Sequence, residues 1–280
     1  AFLPRIKDAG IKVIHKCTSL KHALSAERAG VDAVTILGAE AGGHPGMQLI
    51  GAMVQGALFS GRLTVPYVLG GGMGTGRQLV ASLALGADGM LLASRMVVAS
   101  EVWAHDDYKR RLVDMGPEDT RVIMAIFGDN SRVVDNAAAR QVAELEAKGI
   151  TDFEAYRLLV QGVSQRRAYE TGDWNLGAMS IGQSCAFADR IEPVAAIFER
   201  IMAEAAEVRE LLATPMDAQT ASLLDLLPLR NPAVVEVDAA RRRLAVDRSA
   251  AKGHGDDLFG SEVGQALHRF HDVCGLVVVA

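Results

Sequence analysis

Four short segments of this chain end in residues that can hold or transform a small ligand. His15-Lys16-Cys17 closes the first, Gly42-Gly43-His44 follows the second, Gly70-Gly71-Gly72 closes the third, and Ala93-Ser94-Arg95 closes the fourth. His44 lies in "GAEAGGHPG", among glycines and next to a proline. An imidazole changes charge near neutral pH, so it can act as a general base or hydrogen-bond donor. The same stretch also reads as an ordinary turn that carries a histidine. The run "GGGMGTGRQLV" sets glycines between a strand and a helix start. Bare N–H groups and the helix dipole there suit a phosphate, and a tight strand-to-helix turn is the plainer reading. Its GxGxxG-like spacings lack the acidic residue that a dinucleotide fingerprint places at the end of a second strand. Ser94 offers a hydroxyl and a backbone N–H to a phosphate, or is a polar strand terminus. Lys16 brings a cation toward an electron-rich ring or an anion, or is a solvated lysine.

Other reactive residue types give less. Cys17 has Lys16 and His15 beside it, but adjacent strand residues point to opposite faces, so a buried, inert thiol is expected. His105, with Asp106 and Asp107, reads as a solvated helix segment. No nucleophile elbow or Ser-His-Asp order is visible. His254, His268 and His271 fit no metal spacing, and no metal is expected.

The elements that must position these residues alternate over the first hundred positions. Strands are read at 11–16, 31–38, 65–72 and 89–97, with helices at 19–30, 47–61 and 75–88. Gly30 suits a helix C-cap. Near-continuous apolar strands between amphipathic helices predict an α/β fold with a parallel sheet, as in a barrel or a doubly wound sheet, and ligands in such folds bind beyond the carboxyl ends of the strands. From about 101 to 213 the pattern becomes helical, with helices at 137–149, 152–162 and 192–213. Residues 214–280 hold "AVVEVD", a basic "RRR" at 241–243 and a final "GLVVVA" that reads as a buried strand.

The chain has 280 residues, half of them apolar, with 22% charged and a net charge of −5. It can bury a substantial core, and its charge disfavours nucleic acid or an anionic membrane as partner. No apolar run approaches the roughly 18 residues of a membrane span. Cys17, Cys185 and Cys274 are odd in number and far apart, which points to a reduced, cytoplasmic protein. The first residues show neither an initiating methionine nor a leader.

"IKVIHKCTSLKHALSAERAGVDAVTILGAEAGGHPG" and "VPYVLGGGMGTGRQLVASLALGADGMLLASRMVVASEVWAHDDYK" together resemble the nitronate monooxygenases, formerly called 2-nitropropane dioxygenases. The likeness continues through "SRVVDNAAARQVAELE" and "GDWNLGAMSIGQSCAFADRIEPVAAIFERI" and covers about residues 1–213. It implies an FMN-dependent TIM (β/α)8 barrel, in a wider group that includes flavin-type enoyl-acyl-carrier-protein reductases. Carried over by position, His44 becomes the active-site histidine, with Gly42 and Gly43 before it, and Gln183 further on, among the cofactor-binding residues. Gly71 and Gly72 become FMN-phosphate ligands, Ala93 and Ser94 the second phosphate loop, Lys16 a lysine near the flavin ring, and Gly182-Gln183 a pair near the site. The family usually has glycine and threonine where this chain has Ala93 and Ser94, and often a polar or acidic residue where it has Leu37.

Such a barrel closes on eight strands, whereas four are legible here. The resemblance therefore implies the C-terminal half of a barrel over 1–100, a helical subdomain over 101–213 and a tail over 214–280. A missing front, a partner chain or the tail itself would supply the rest. The implied reaction is oxidation of an alkyl nitronate with O2 to a carbonyl compound and nitrite. The open alternatives are a flavin-dependent enoyl-thioester reductase using NAD(P)H and a degenerate, non-catalytic barrel subunit. The implied partners are the small substrate and O2, with a homo-oligomer or a second chain completing the barrel.

Overall fold

The computed structural model describes residues 2–213 and 277–279. After a short helix α1 (Leu3–Asp8), strands and helices alternate as β1 (Ile14–Cys17), α2 (Leu20–Ala29), β2 (Ala33–Leu37), α3 (Ala52–Phe59), β3 (Tyr67–Gly70), α4 (Gly76–Ala84) and β4 (Gly89–Leu92). β1 to β4 pair in parallel in chain order, with Cys17 beside Ile36, Leu37 beside Gly70 and Gly70 beside Leu91. A last strand, β7 (Val277–Val279), runs antiparallel along β4. The expected α/β architecture with a parallel sheet is present, and the strand expected at "GLVVVA" is this β7. The readings at "AVVEVD", "RRR", His254, His268 and His271 lie outside the described residues.

Period-two geometry sends alternate side chains to opposite faces of the sheet. Val34, Ile36, Tyr67, Leu69, Met90 and Leu92 form one core with α2, α3, α4 and the long helix α9 (Val194–Ala213). Leu37, Val68 and Leu91 form a smaller cluster with Ala41 on the other face. Full burial of side chains such as Ile36 and Phe59 stabilises by about 1.5–3 kcal/mol each. Local signals set the helix ends: the Ser19 hydroxyl accepts the His22 N–H at the start of α2, and Gly30, at φ +93°, closes it.

Several boundaries differ from the sequence reading. The helix expected from 47 begins at Ala52, because the Glu40 carboxylate accepts the Ala52 N–H at 3.0–3.1 Å and caps α3 from twelve residues upstream. The strand expected to reach 97 stops at Leu92, and Ser94–Val98 coil into a 3-10 turn.

The region expected to be wholly helical over 101–213 contains a β hairpin. Its strands β5 (Thr120–Ile123) and β6 (Ser131–Val134) pair antiparallel. It sits among α5 (Asp106–Val113), α6 (Ala137–Ala147), α7 (Glu154–Val160) and α8 (Gly162–Thr171). The hairpin packs Ile123 and Val133 on Val142 and Tyr156. α5 is not the solvated segment expected around His105, since Tyr108 and Leu112 are fully buried in a cluster with Trp174 and Met179. Residues 1–209 and the segment holding β7 form one compact unit, with no division near residue 100. No helix among the described residues is long and apolar enough to cross a membrane.

Candidate active site

The sheet brings the glycine-rich strand ends to one edge. The loop after β2 starts tied to its neighbour, with the Gly38 N–H donating to the Gly70 carbonyl at 2.8 Å. It then crosses the segment before a second 3-10 turn, Gln183–Phe187. A Cβ on Gly42 would lie 2.6 Å from the Gly182 nitrogen, and one on Gly182 would lie 2.5 Å from the Gly42 nitrogen. Two backbones therefore touch where neither residue can carry a side chain. The Gln183 N–H donates to the Glu40 carbonyl at 2.9 Å, so the Gly182-Gln183 pair is fastened to the histidine loop.

The β hairpin completes the clamp. Gly43 and Arg132 pair as an isolated antiparallel bridge. The Gly43 N–H donates to the Arg132 carbonyl at 3.0 Å, and the Arg132 N–H donates to the Gly43 carbonyl at 2.6 Å. The Arg132 guanidinium also reaches the Ala39 carbonyl at 3.0 Å and the Thr120 hydroxyl at 3.0 Å. Beyond the histidine, the buried Asn130 amide donates to the carbonyls of Gly46 and Met47, each at 3.3 Å. His44 is thus pinned on both sides by β6 and the residues before it.

Its ring stays available. The His44 side chain is 66% exposed, with Nε2 3.5 Å from Oδ2 of Asp129, which is itself 64% exposed. Both line a cleft of ≈ 170 Å³ whose walls include Met124, Val133, Ala178 and Ser180. Apolar walls with one imidazole and one carboxylate suit a small organic molecule that loses or gains a proton.

The phosphate-type loops lie at the neighbouring strand ends. Gly71 and Gly72 have φ of +98° and +72° and are half-buried, and exposed Ala93 follows the adjacent strand. A Cβ on Gly71 would come within 2.9 Å of the Gly38 backbone. Consecutive left-handed glycines turn their backbone into a concave, side-chain-free surface of the kind that cradles anions. Ser94 is buried, and its hydroxyl oxygen accepts the Gly182 N–H at 2.7 Å while keeping its own proton to donate. The start of α4 is closed internally: Gln78 Oε1 accepts from Gly74 and Thr75, and Glu204 accepts the Gly76 N–H. An anion at these loops must therefore be held by the residues before Gly74.

Lys16 is exposed on β1, beside Thr35 in the register and on the same sheet face as Leu37. Cys17 points the other way into the core, where burial pushes its thiol up to about 11, matching the inert thiol expected of it. Sequence reasoning missed Asp129, Asn130 and Arg132. The one available signal was "GDNSRVV", a turn followed by a short β-branched run.

The family model described as nitronate monooxygenase matches residues 2–204. A probable nitronate monooxygenase of Staphylococcus aureus (strain JH9) is 28% identical over 192 residues, 66% of this chain and 54% of its own. The chain spans about half the length of the curated relatives it matches. Among solved structures, FabK from Thermotoga maritima superposes with a TM-score of 0.70 at 34% identity, over 75% of this chain and 66% of FabK. A nitroalkane oxidase from Streptomyces ansochromogenes gives 0.62 at 29% identity, over 75% and 62% of the two chains.

Proposed function

The chain belongs to the nitronate monooxygenase family, and on that premise we propose that it takes part in oxidising alkyl nitronates with O2 to a carbonyl compound and nitrite, with FMN as cofactor. The observation that carries this reading is the clamped His44 loop, which presents an imidazole to a small cleft with apolar walls. The side-chain-free backbone at Gly71 and Gly72 fits a flavin phosphate, with Ala93 and Ser94 as the facing loop. FMN, when bound, supplies electron transfer from the substrate and reactivity toward O2.

The chain's own residues do the rest. His44 Nε2 takes the proton of a neutral nitroalkane or donates a hydrogen bond to the nitronate oxygens, and Asp129 faces the imidazolium when it forms. Met124, Val133 and Ala178 receive the alkyl portion and exclude water from it. Gly42 and Gly43 let the loop lie against Gly182 and Arg132, and Gln183 fastens it from below. Lys16 sets a cation on the sheet face that also carries Leu37, which offers a flavin ring no hydrogen bond. A TIM barrel completed by further strands, from this or a partner chain, and a cytoplasmic setting belong to the same proposal.

The test is the visible spectrum and turnover of the full chain. Flavin absorbance near 450 nm and nitrite release from a nitronate are expected, and His44→Ala should keep the flavin while losing turnover about 10²–10⁴-fold. Wild-type turnover in that variant would remove His44 from the chemistry. The wider group's second chemistry, enoyl-thioester reduction, is tested by anaerobic mixing: rapid bleaching of the flavin by NADH would favour it.

A further inference from the structure

A second pocket, of ≈ 310 Å³, lies between the start of α4, the 3-10 turn after β4, and α9. Arg95 and Arg200 both line it, as do Asp189 and Glu204. The acids are already satisfied. Both Asp189 oxygens accept from Arg200, and Oδ2 also accepts from Arg190. Glu204 Oε2 accepts the Gly76 N–H at 2.7 Å, and its Oε1 stands 3.3 Å from Arg77. The nearby Glu192 accepts from Arg200.

Arg95 is different. It is only 6% exposed, its Nε is buried with no hydrogen-bond partner, and its closest acid, Glu192, stands 4.0 Å away. The Nε of Arg200 is also buried without a partner. Burial, and then the charge of Arg200, pull the Arg95 guanidinium below its ordinary value. A buried guanidinium normally finds acceptors, because leaving its donors unmade forfeits both hydration and pairing. A planar fork of N–H groups matches the oxygens of a carboxylate or phosphate. Both Nε atoms are closed off from the pocket, so an occupant would meet the ends of the guanidinium forks; an acceptor carrying negative charge suits them, and the volume admits a group of several heavy atoms.

We propose that this pocket binds a small oxyanion, the phosphate or carboxylate end of a ligand, on Arg95 and beside Arg200. The residues assigned to the flavin phosphate, Gly71, Gly72, Ala93 and Ser94, do not line this pocket; they end two positions before Gly74 and one before Arg95. It does not depend on which reaction the chain performs.

The test is calorimetric titration of the full chain with inorganic phosphate and, separately, acetate, with FMN saturating and with FMN absent. With FMN saturating, so that the glycine loops are filled, one saturable equivalent of one of these anions is expected, and the same Arg95-dependent equivalent persists with FMN absent; the anion that binds identifies the phosphoryl or carboxylate class. Arg95→Met should weaken binding at least tenfold, and so should Ala186→Phe, which fills the pocket from an exposed wall position without removing a charge. If circular dichroism shows that Arg95→Met does not fold, Ala186→Phe decides alone. The proposal is overturned if neither anion binds, if the folded variants bind like wild type, or if FMN displaces the anion one for one, which would make the pocket part of the flavin's cradle.

Discussion

Gly43 and Arg132, almost ninety positions apart in the chain, exchange both of their backbone hydrogen bonds and so fasten the histidine loop to the hairpin. The backbone bonds survive substitution, but the guanidinium's bonds to Ala39 and Thr120 do not. Arg132→Ala should therefore cost about 1.5–3 kcal/mol in urea unfolding, the range for hydrogen bonds from a charged group. It should also lower kcat, because His44 loses its fixed position. Unchanged stability would show that the side chain does not hold the loop.

The crossing of Gly42 and Gly182 predicts a harsher outcome. A methyl group at either position meets main-chain nitrogen and carbon, which cannot swing aside as a side-chain tip can. Gly42→Ala or Gly182→Ala should destabilise by about 1–3 kcal/mol or more, the range for overpacking. Differential scanning calorimetry checks this, and a melting temperature equal to wild type would contradict the close approach.

Gly71→Ala separates phosphate cradling from mere turning. A left-handed alanine costs roughly 1–2 kcal/mol, and its Cβ would press on Gly38. Loss of FMN affinity by tenfold or more, read by flavin fluorescence, is expected together with a modest fall in melting temperature. A variant that melts lower yet binds FMN normally would leave Gly71 a turn residue only.

Asp135 links the hairpin to α6 by accepting from Arg121 at 2.9 and 3.0 Å and from Arg140 at 3.2 Å. The Arg121 hydrogen bonds hold its carboxyl below the ordinary carboxylate value. A depressed folded value means the stabilisation is fully present above the unfolded carboxylate range, about pH 4, and fades as pH falls through the folded value. Asp135→Asn should thus melt lower than wild type at pH 6–8, and the gap should narrow steadily below pH 4. A gap that persists unchanged at pH 2.5 would mean the aspartate acts through packing rather than charge.

The strand-and-helix alternation of the first hundred residues was readable because β2 to β4 are nearly continuous apolar runs and α2 and α4 each keep one polar side. Features settled by distant partners were not readable. α3 starts where Glu40 reaches it, and Leu49, at a left-handed φ of 48°, sits in the stretch that looked helical. The hairpin strands are four residues each and carry Arg121 and Arg132 among their valines and isoleucines, so neither stands out from a helical background. At the site, His44 and the glycines announce themselves by type and spacing. Asp129 and Arg132 do not, since an exposed aspartate and an arginine in a strand acquire meaning only once the hairpin folds back on residues 39–47.

The antiparallel strand β7 gives the sheet an asymmetric perimeter. With β4 paired on both sides, its hydrogen-bonding edge is closed to any further parallel strand. Among the described residues the two margins of the sheet are β1, four residues long with Ile14 and Lys16 exposed, and the outer side of β7. An incoming segment can lengthen the sheet at β1 directly, whereas at β4 it must first evict β7, so docking at β1 and at β4 differs by the work of one strand exchange.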